Sequence, residues 1–136
     1  MREGIKVNIL GEFNKLPKDV RNTLKKSIKI TKKNKRIIVN LAINYGSKNE
    51  ILYAAKKLKG GARIINFEKN LYTKNFPDPD LLIRTGGHKR LSNFMLWQLA
   101  YAELFFLDKL WPDFSSKDLK KIIFKYKKTK RNFGKI

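Results

Sequence analysis

Apolar and polar residues alternate from Ile5 to Leu10 (Ile5, Val7, Ile9) and the run stops at Gly11, which predicts a strand. Pro17 and Asp19 open a helix, proline being well placed in a first turn. Val20, Leu24, Ile28 and Thr31 then recur at helical spacing and give that helix one inward stripe. Arg36 to Ile43 (RIIVNLAI) reads as a second strand with Asn44-Tyr45-Gly46 as its exit turn. Ser47 followed by Glu50 has the spacing of a capping box. It starts a helix to about Leu58 that turns Ile51, Ala54, Ala55 and Leu58 inward. From Lys59 to Asn75 the pattern is weak: Gly60-Gly61, the apolar pair Ile64-Ile65, and one helical turn near Phe67 to Tyr72.

Pro77 and Pro79 form a stiff entry to Leu81, Leu82 and Ile83, a short apolar run that predicts a buried strand. The run breaks into a turn at Thr85-Gly86-Gly87, with Arg84 on one side and His88, Lys89 and Arg90 on the other. Ser92 and Asn93 offer a helix N-cap, and Phe94 to Leu104 is apolar enough to predict a core helix. Phe105 to Leu107 predicts a last short strand, and Ser115 or Ser116 caps a basic helix through about Lys130. Strands and helices alternate, so the class is α/β with a mainly parallel sheet and flanking helices. A parallel sheet needs cover on both faces, and so few helices leave part of this one bare.

A length of 136 residues predicts one domain, 1–136. With 42% hydrophobic and 12% aromatic residues the chain has material for a core and is not of disordered composition. No apolar run approaches the roughly 20 residues of a membrane span, and MREGIKVNILGEF is not a signal peptide. The absence of cysteine excludes disulfides and thiolate chemistry and suits the cytoplasm; a single histidine excludes a histidine metal cluster. The formal charge of +21 suggests nucleic acid first. Yet lysine outnumbers arginine more than threefold, and lysine, isoleucine and asparagine are all abundant, the pattern an AT-rich genome imposes through its codons. Scattered lysines such as Lys15, Lys25, Lys56 and Lys120 fit solvated helix faces, so no nucleic-acid partner is expected. Attraction to anionic lipid surfaces stays open on the same charge.

Candidate chemistry gathers at the glycine turn. Arg84 and Arg90 bracket Gly86-Gly87, whose bare backbone lets a ligand come close. The turn leads toward a predicted helix N-terminus, where unpaired N–H groups favour anions. Arginine presents a planar fork that matches phosphate oxygens in pairs. The residues read as a phosphate or diphosphate clamp; a basic turn arising from composition alone is the other reading. Glu103, among Leu99, Ala100, Tyr101, Leu104 and Phe105, is costly to bury without a partner, and an arginine or a metal ion would serve.

The run from Asp80 to Phe114, with RTGG, R-x-SNF, WQ-x-AYAEL and WPDF in order, closely resembles the C-terminal signature of the cis-prenyltransferases, typified by undecaprenyl diphosphate synthase. The resemblance reaches back through ILGEFNKLP and NLAINYGSKNEI and on to RNFG. It implies the C-terminal part of the cis-prenyltransferase fold, with the N-terminal strands and helices missing. It implies condensation of isopentenyl diphosphate onto an allylic prenyl diphosphate with cis geometry, with Mg²⁺ as cofactor, giving an undecaprenyl-type lipid carrier. Arg84, Arg90 and Ser92, with Gly86 and Gly87, would bind the isopentenyl diphosphate, and Glu103 would hold Mg²⁺ at that diphosphate.

The resemblance also marks departures. Complete members are nearly twice as long and carry a catalytic aspartate in a DGNGRWA-like loop that has no counterpart here; Asp19, Asp78 and Asp80 lie in other contexts. Ser47 replaces the second glycine of the family's NYGG, and His88-Lys89 fill variable positions, His88 reading as a loop residue. The slot of the family's cross-dimer Arg-x-Gly reads Asn132-Phe133-Gly134 with Arg131 one place earlier. Trp97, Tyr101, Phe105, Phe106 and Trp111 read as core or dimer interface. The expectation is a homodimer, or a pairing with a complementary N-terminal half, in the cytoplasm and touching the inner membrane face. A non-catalytic partner subunit of a heteromeric prenyltransferase is the alternative, and retention of Arg84, Arg90, Ser92 and Glu103 argues against it.

Overall fold

The computed structural model describes residues 4–59, 61 and 63–131. The chain forms two compact units that divide after Phe76.

In the first unit, β1 (Ile5–Leu10) leads into α1 (Lys18–Thr31) and back to β2 (Ile37–Ala42), a βαβ crossover that sets the two strands parallel. Their register runs from Ile5 opposite Ile37 to Leu10 opposite Ala42. Polar side chains tie the crossover down. The Thr31 hydroxyl accepts the Val7 N–H at 3.1 Å and donates to the Ser27 carbonyl at 2.7 Å. The Asn34 amide donates to the Ile5 carbonyl at 2.6 Å. At the strand exits Gly11 has φ +120°, and a Cβ there would stand 2.3 Å from the Ile43 carbonyl oxygen. Only glycine admits that approach.

The predicted stripe of α1 is half-buried at Leu24, Ile28 and Thr31, while Val20 is exposed. On β2, Ile37 is 50% and Ile38 46% exposed. Adjacent strand residues point to opposite faces, so the elements of this unit leave apolar surface open on both faces of β2, as expected for a sheet with few helices.

Next come α2 (Ser47–Lys56) and the short α3 (Ile64–Glu68), which lies slightly before the helical turn expected near Phe67 to Tyr72. Gly46, not Ser47, is the N-cap of α2, so Ser47 and Glu50 do not form the expected capping box. Glu50 is instead fully buried. Its carboxylate accepts the Tyr72 N–H at 2.7 Å and the Tyr45 hydroxyl, pinning the chain after α3 to α2. Ala54, Phe67 and Leu71 are buried with it; Ile51 and Leu58 are half-buried and Ala55 is exposed.

In the second unit, β3 (Leu81–Arg84) and β4 (Glu103–Phe106) pair in parallel, Leu81 opposite Glu103 and Arg84 opposite Phe106. The core helix expected over Phe94 to Leu104 does not form. Ser92, Asn93 and Met95 have φ of 48°, 63° and 46°, in the left-handed region that interrupts a right-handed helix at its start. The segment runs on as successive turns, with i to i−3 bonds such as Ala100 N–H to Trp97 carbonyl and Ala102 N–H to Leu99 carbonyl. The Glu103 N–H then donates to the Asp80 carbonyl at 3.0 Å, and Glu103-Leu104, assigned to the helix by sequence, begin the strand. Phe105 and Phe106 suit a pleated, half-buried surface.

The closing helix α4 (Ser116–Lys128) is capped as expected: Ser115 and Asp118 form a reciprocal capping box. Past it, Arg131 donates to Asp80 at 2.6 Å, to the Tyr126 hydroxyl at 2.6 Å and to the Tyr101 carbonyl at 3.0 Å. The hydrogen bond from Arg131, and then that from Tyr126, hold the Asp80 carboxyl below the usual carboxylate range. The Asn132 to Gly134 segment lies outside the described residues. Both sheets are parallel with flanking helices, the α/β class expected. Among the described residues no helix is long and apolar enough to cross a membrane.

Candidate functional site

The loop after β3 builds a site from residues close in sequence. Arg84 ends the strand, and Thr85 leads into a turn in which Gly86 and Gly87 have φ of +90° and +76°. Nothing within 4 Å would meet a side chain at Gly86, so what that position requires is conformation, not space. The Gly86 N–H donates to the Lys109 carbonyl at 2.8 Å and the Gly87 N–H to the Leu107 carbonyl at 2.9 Å. These N–H groups are therefore spent on anchoring the turn to the segment after β4, and the glycines shape the site without lining its cavity.

The chain returns through Arg90 to Ser92, and here the side chains converge. One terminal nitrogen of Arg84 (Nη1) donates to the Ser92 hydroxyl at 3.0 Å and also to the Arg90 carbonyl. A guanidinium has five N–H donors. Nη1 carries two of them, and the remaining Nε–Nη2 edge makes no hydrogen bond among the described residues. The fork is held from one side and open on the other.

Beside it lies a cavity of about 360 Å³ lined by Leu82, Ile83, Arg84, Thr85, Arg90, Leu91, Ser92 and Phe94. Arg84, Thr85, Arg90 and Ser92 thus share the cavity lining with an apolar wall, Arg90 meeting Arg84 through its carbonyl. The structure brings Arg84, Arg90 and Ser92 together as the sequence suggested. Thr85 and the apolar wall were not singled out, although Thr85, lying between the strand and the glycines, could have been. His88 is exposed in the loop and is not among the lining residues.

Glu103 is not in this cavity. It begins β4 opposite Leu81, three residue steps from the level of Arg84, or about 10 Å at the usual strand rise. It is half-buried, and its carboxylate takes part in no hydrogen bond or ion pair among the described residues. A half-buried, unpartnered carboxylate suits a cation. Among the described residues no group of three or more acidic or histidine side chains is placed to hold a metal unaided. Mg²⁺ typically needs only one or two protein carboxylates when phosphate oxygens and waters complete its shell, so the chemistry of Glu103 fits that ion.

A strand-end arginine fork beside a Gly-Gly turn is the arrangement expected of a phosphate site, and comparison with known proteins gives the family in which it stands. The prenyltransferase family model, described as that of undecaprenyl diphosphate synthase, matches residues 1–134. The chain belongs to this family. It is 41% identical to the isoprenyl transferase of Oceanobacillus iheyensis over 146 aligned positions, covering 100% of this chain and 58% of that one. Among solved structures it resembles a probable undecaprenyl diphosphate synthase from Campylobacter jejuni, with TM-score 0.90 and 36% identity over 98% of this chain and 65% of that one. It also resembles lavandulyl diphosphate synthase from Lavandula x intermedia, solved with dimethylallyl diphosphate, with TM-score 0.93 and 33% identity over 99% of this chain and 62% of that one. The chain thus spans little more than half the length of its curated relatives.

Proposed function

We propose that this chain, as the C-terminal portion of one cis-prenyltransferase domain, supplies the isopentenyl diphosphate half-site. The enzyme condenses isopentenyl diphosphate onto an allylic diphosphate with cis geometry, giving an undecaprenyl-type diphosphate lipid carrier. The observation that carries the reading is the Arg84 guanidinium, tethered through Nη1 to Ser92 and Arg90 with its other edge open beside the cavity.

Arg84 presents the Nε–Nη2 pair to two phosphate oxygens, Arg90 adds a second positive charge, and the Ser92 and Thr85 hydroxyls donate to what remains. The apolar wall of Leu82, Leu91 and Phe94 receives the short isopentenyl chain. So held, the homoallylic double bond is oriented to attack the carbon from which the allylic diphosphate leaves; a new carbon–carbon bond forms and one proton is lost. Glu103 would hold Mg²⁺, whose contribution when bound is to neutralise diphosphate charge. The aspartate that serves the allylic diphosphate in the family has no counterpart in this sequence, so the chain does not turn over alone. It works in the cytoplasm with a second copy or a complementary N-terminal half, touching the membrane that receives the product.

Calorimetric titration with isopentenyl diphosphate, with and without Mg²⁺, tests the site. Arg84→Ala weakens binding roughly ten- to a hundredfold in both conditions, as loss of charge-assisted hydrogen bonds predicts. Glu103→Gln removes only the increment that Mg²⁺ adds. Wild-type affinity in Arg84→Ala would refute the assignment. Prenyl elongation by the purified chain, with no other polypeptide present, would refute the claim that it is inactive alone.

A further inference from the structure

A second concavity lies in the same unit and shares no residue with the diphosphate cavity. It measures about 530 Å³, between β4 with the residue after it and one side of α4. Phe105, Phe106, Leu107, Ile122 and Phe124 supply its apolar surface. Phe124 is 60% exposed, which is unusual for a phenylalanine beside an apolar groove that could have covered it. Lys121, Lys125 and Lys128 line the groove too. Steps of three and four residues put these lysines on one side of the helix with Ile122.

The charge of this rim is uncompensated. Among the described residues none of the three lysines forms an ion pair. Lys128 lies over the Phe124 ring, 4.3 Å from its centre. The one acid in the lining, Asp118, is already taken by the capping box with Ser115 and by Lys109 at 3.0 Å. The groove is therefore an apolar slot with a cationic edge. A second copy of a chain carrying +21 is a poor electrostatic match for that edge. An anionic headgroup with an acyl chain matches both parts.

We propose that the groove between β4 and α4 docks the protein on anionic membranes, the phospholipid headgroups meeting Lys121, Lys125 and Lys128 and the apolar slot receiving acyl chain beside Phe124. Basic residues near an anionic surface gain attraction one by one, and an amphipathic helix adds the area it buries. The placement suits an enzyme whose product is a lipid, but it rests on the groove and not on the diphosphate assignment, so either can fail without the other.

The test is co-sedimentation of the whole purified chain with vesicles of phosphatidylcholine alone or with about one quarter phosphatidylglycerol. The wild type binds the anionic vesicles and is released by high salt. The triple variant Lys121→Glu, Lys125→Glu, Lys128→Glu loses at least tenfold in partitioning, consistent with the per-lysine attraction. A triple variant on α1, Lys25→Glu, Lys26→Glu, Lys29→Glu, carries the same change in net charge and loses less than half as much on a logarithmic scale. Phe124→Ser, which alters no charge, loses severalfold. Equal losses in the two triple variants would reduce the binding to bulk charge and overturn the proposal, as would unchanged binding by Phe124→Ser or equal binding to uncharged vesicles. A dimer seen by sedimentation velocity that the groove variant alone disrupts would assign the groove to a second copy instead.

Discussion

Replacing Glu50 by alanine isolates the largest polar commitment in the core of the first unit. The side chain is fully buried and accepts the Tyr72 N–H at 2.7 Å and the Tyr45 hydroxyl. Alanine takes the Glu50 acceptor from two partly buried donors. A fully buried donor stranded in this way costs about 1–3 kcal/mol, so two set an upper range of about 2–6 kcal/mol. Burying the carboxylate itself had a desolvation cost that the variant recovers. The net expectation is about 3 kcal/mol of lost stability.

Urea denaturation followed by far-ultraviolet circular dichroism reads this directly. With a urea slope of about 1–3 kcal/mol per molar for small proteins, the midpoint falls by about 1–3 M. Two companions sharpen the test. Tyr45→Phe removes one donor, leaves the buried Glu50 oxygen without that bond, and costs about 1.5 kcal/mol, the low end for a hydrogen bond to a charged group. Tyr72→Phe leaves the Tyr72 backbone bond intact and costs less than either. If Glu50→Ala were within about 0.5 kcal/mol of wild type, the range of ordinary surface substitutions, Glu50 would not be the pin between α2 and the chain after α3.

Two further outcomes follow from named contacts. Arg84→Lys recovers little of the diphosphate affinity lost in Arg84→Ala, because one ammonium cannot hold Ser92 and the Arg90 carbonyl while offering a planar edge to phosphate; calorimetry showing near-wild-type binding would refute the fork. Asp118 is held far below the usual carboxylate range by its bonds to Ser115 and then Lys109, so its contribution is complete above the unfolded carboxylate value near 4 and declines as pH falls toward the folded one; Asp118→Asn should flatten the acid limb of the urea midpoint plotted against pH.

Much of the fold was legible where a local rule decides alone. Alternation ending at Gly11, proline before α1, the β-branched run of β2 and the serine before α4 each act within a few residues, and the elements fall where those signals stand. The failures lie where a local pattern is ambiguous. Phe94 to Leu104 is apolar enough for a helix, and Ser92-Asn93 is acceptable as a cap; neither feature reveals that the backbone turns left-handed at Ser92, Asn93 and Met95. Ser47 and Glu50 have capping-box spacing, but the Glu50 carboxylate is claimed by Tyr72, 22 residues on. At Glu50 the deciding partner is distant in sequence, and in neither place does periodicity carry a record of what decides the backbone.

The same division runs through the site and explains what was misread there. Arg84, Arg90 and Ser92 are separated by only a turn, so their convergence could be inferred from spacing. The fate of the Gly86 and Gly87 N–H groups could not, because their acceptors are the carbonyls of Lys109 and Leu107, on the far side of the turns and β4. That contact changes the chemistry assigned to the turn. With the backbone donors spent, the proposed anion binding rests on side chains, with the guanidinium edge left open by its own tether as its main element. Glu103 was displaced by the related error: starting a strand opposite Leu81, it sits about 10 Å along the strands from Arg84. The arginine cavity and the acidic position are therefore two separable elements in this chain, which is why Arg84→Ala and Glu103→Gln are expected to act on different parts of the same titration.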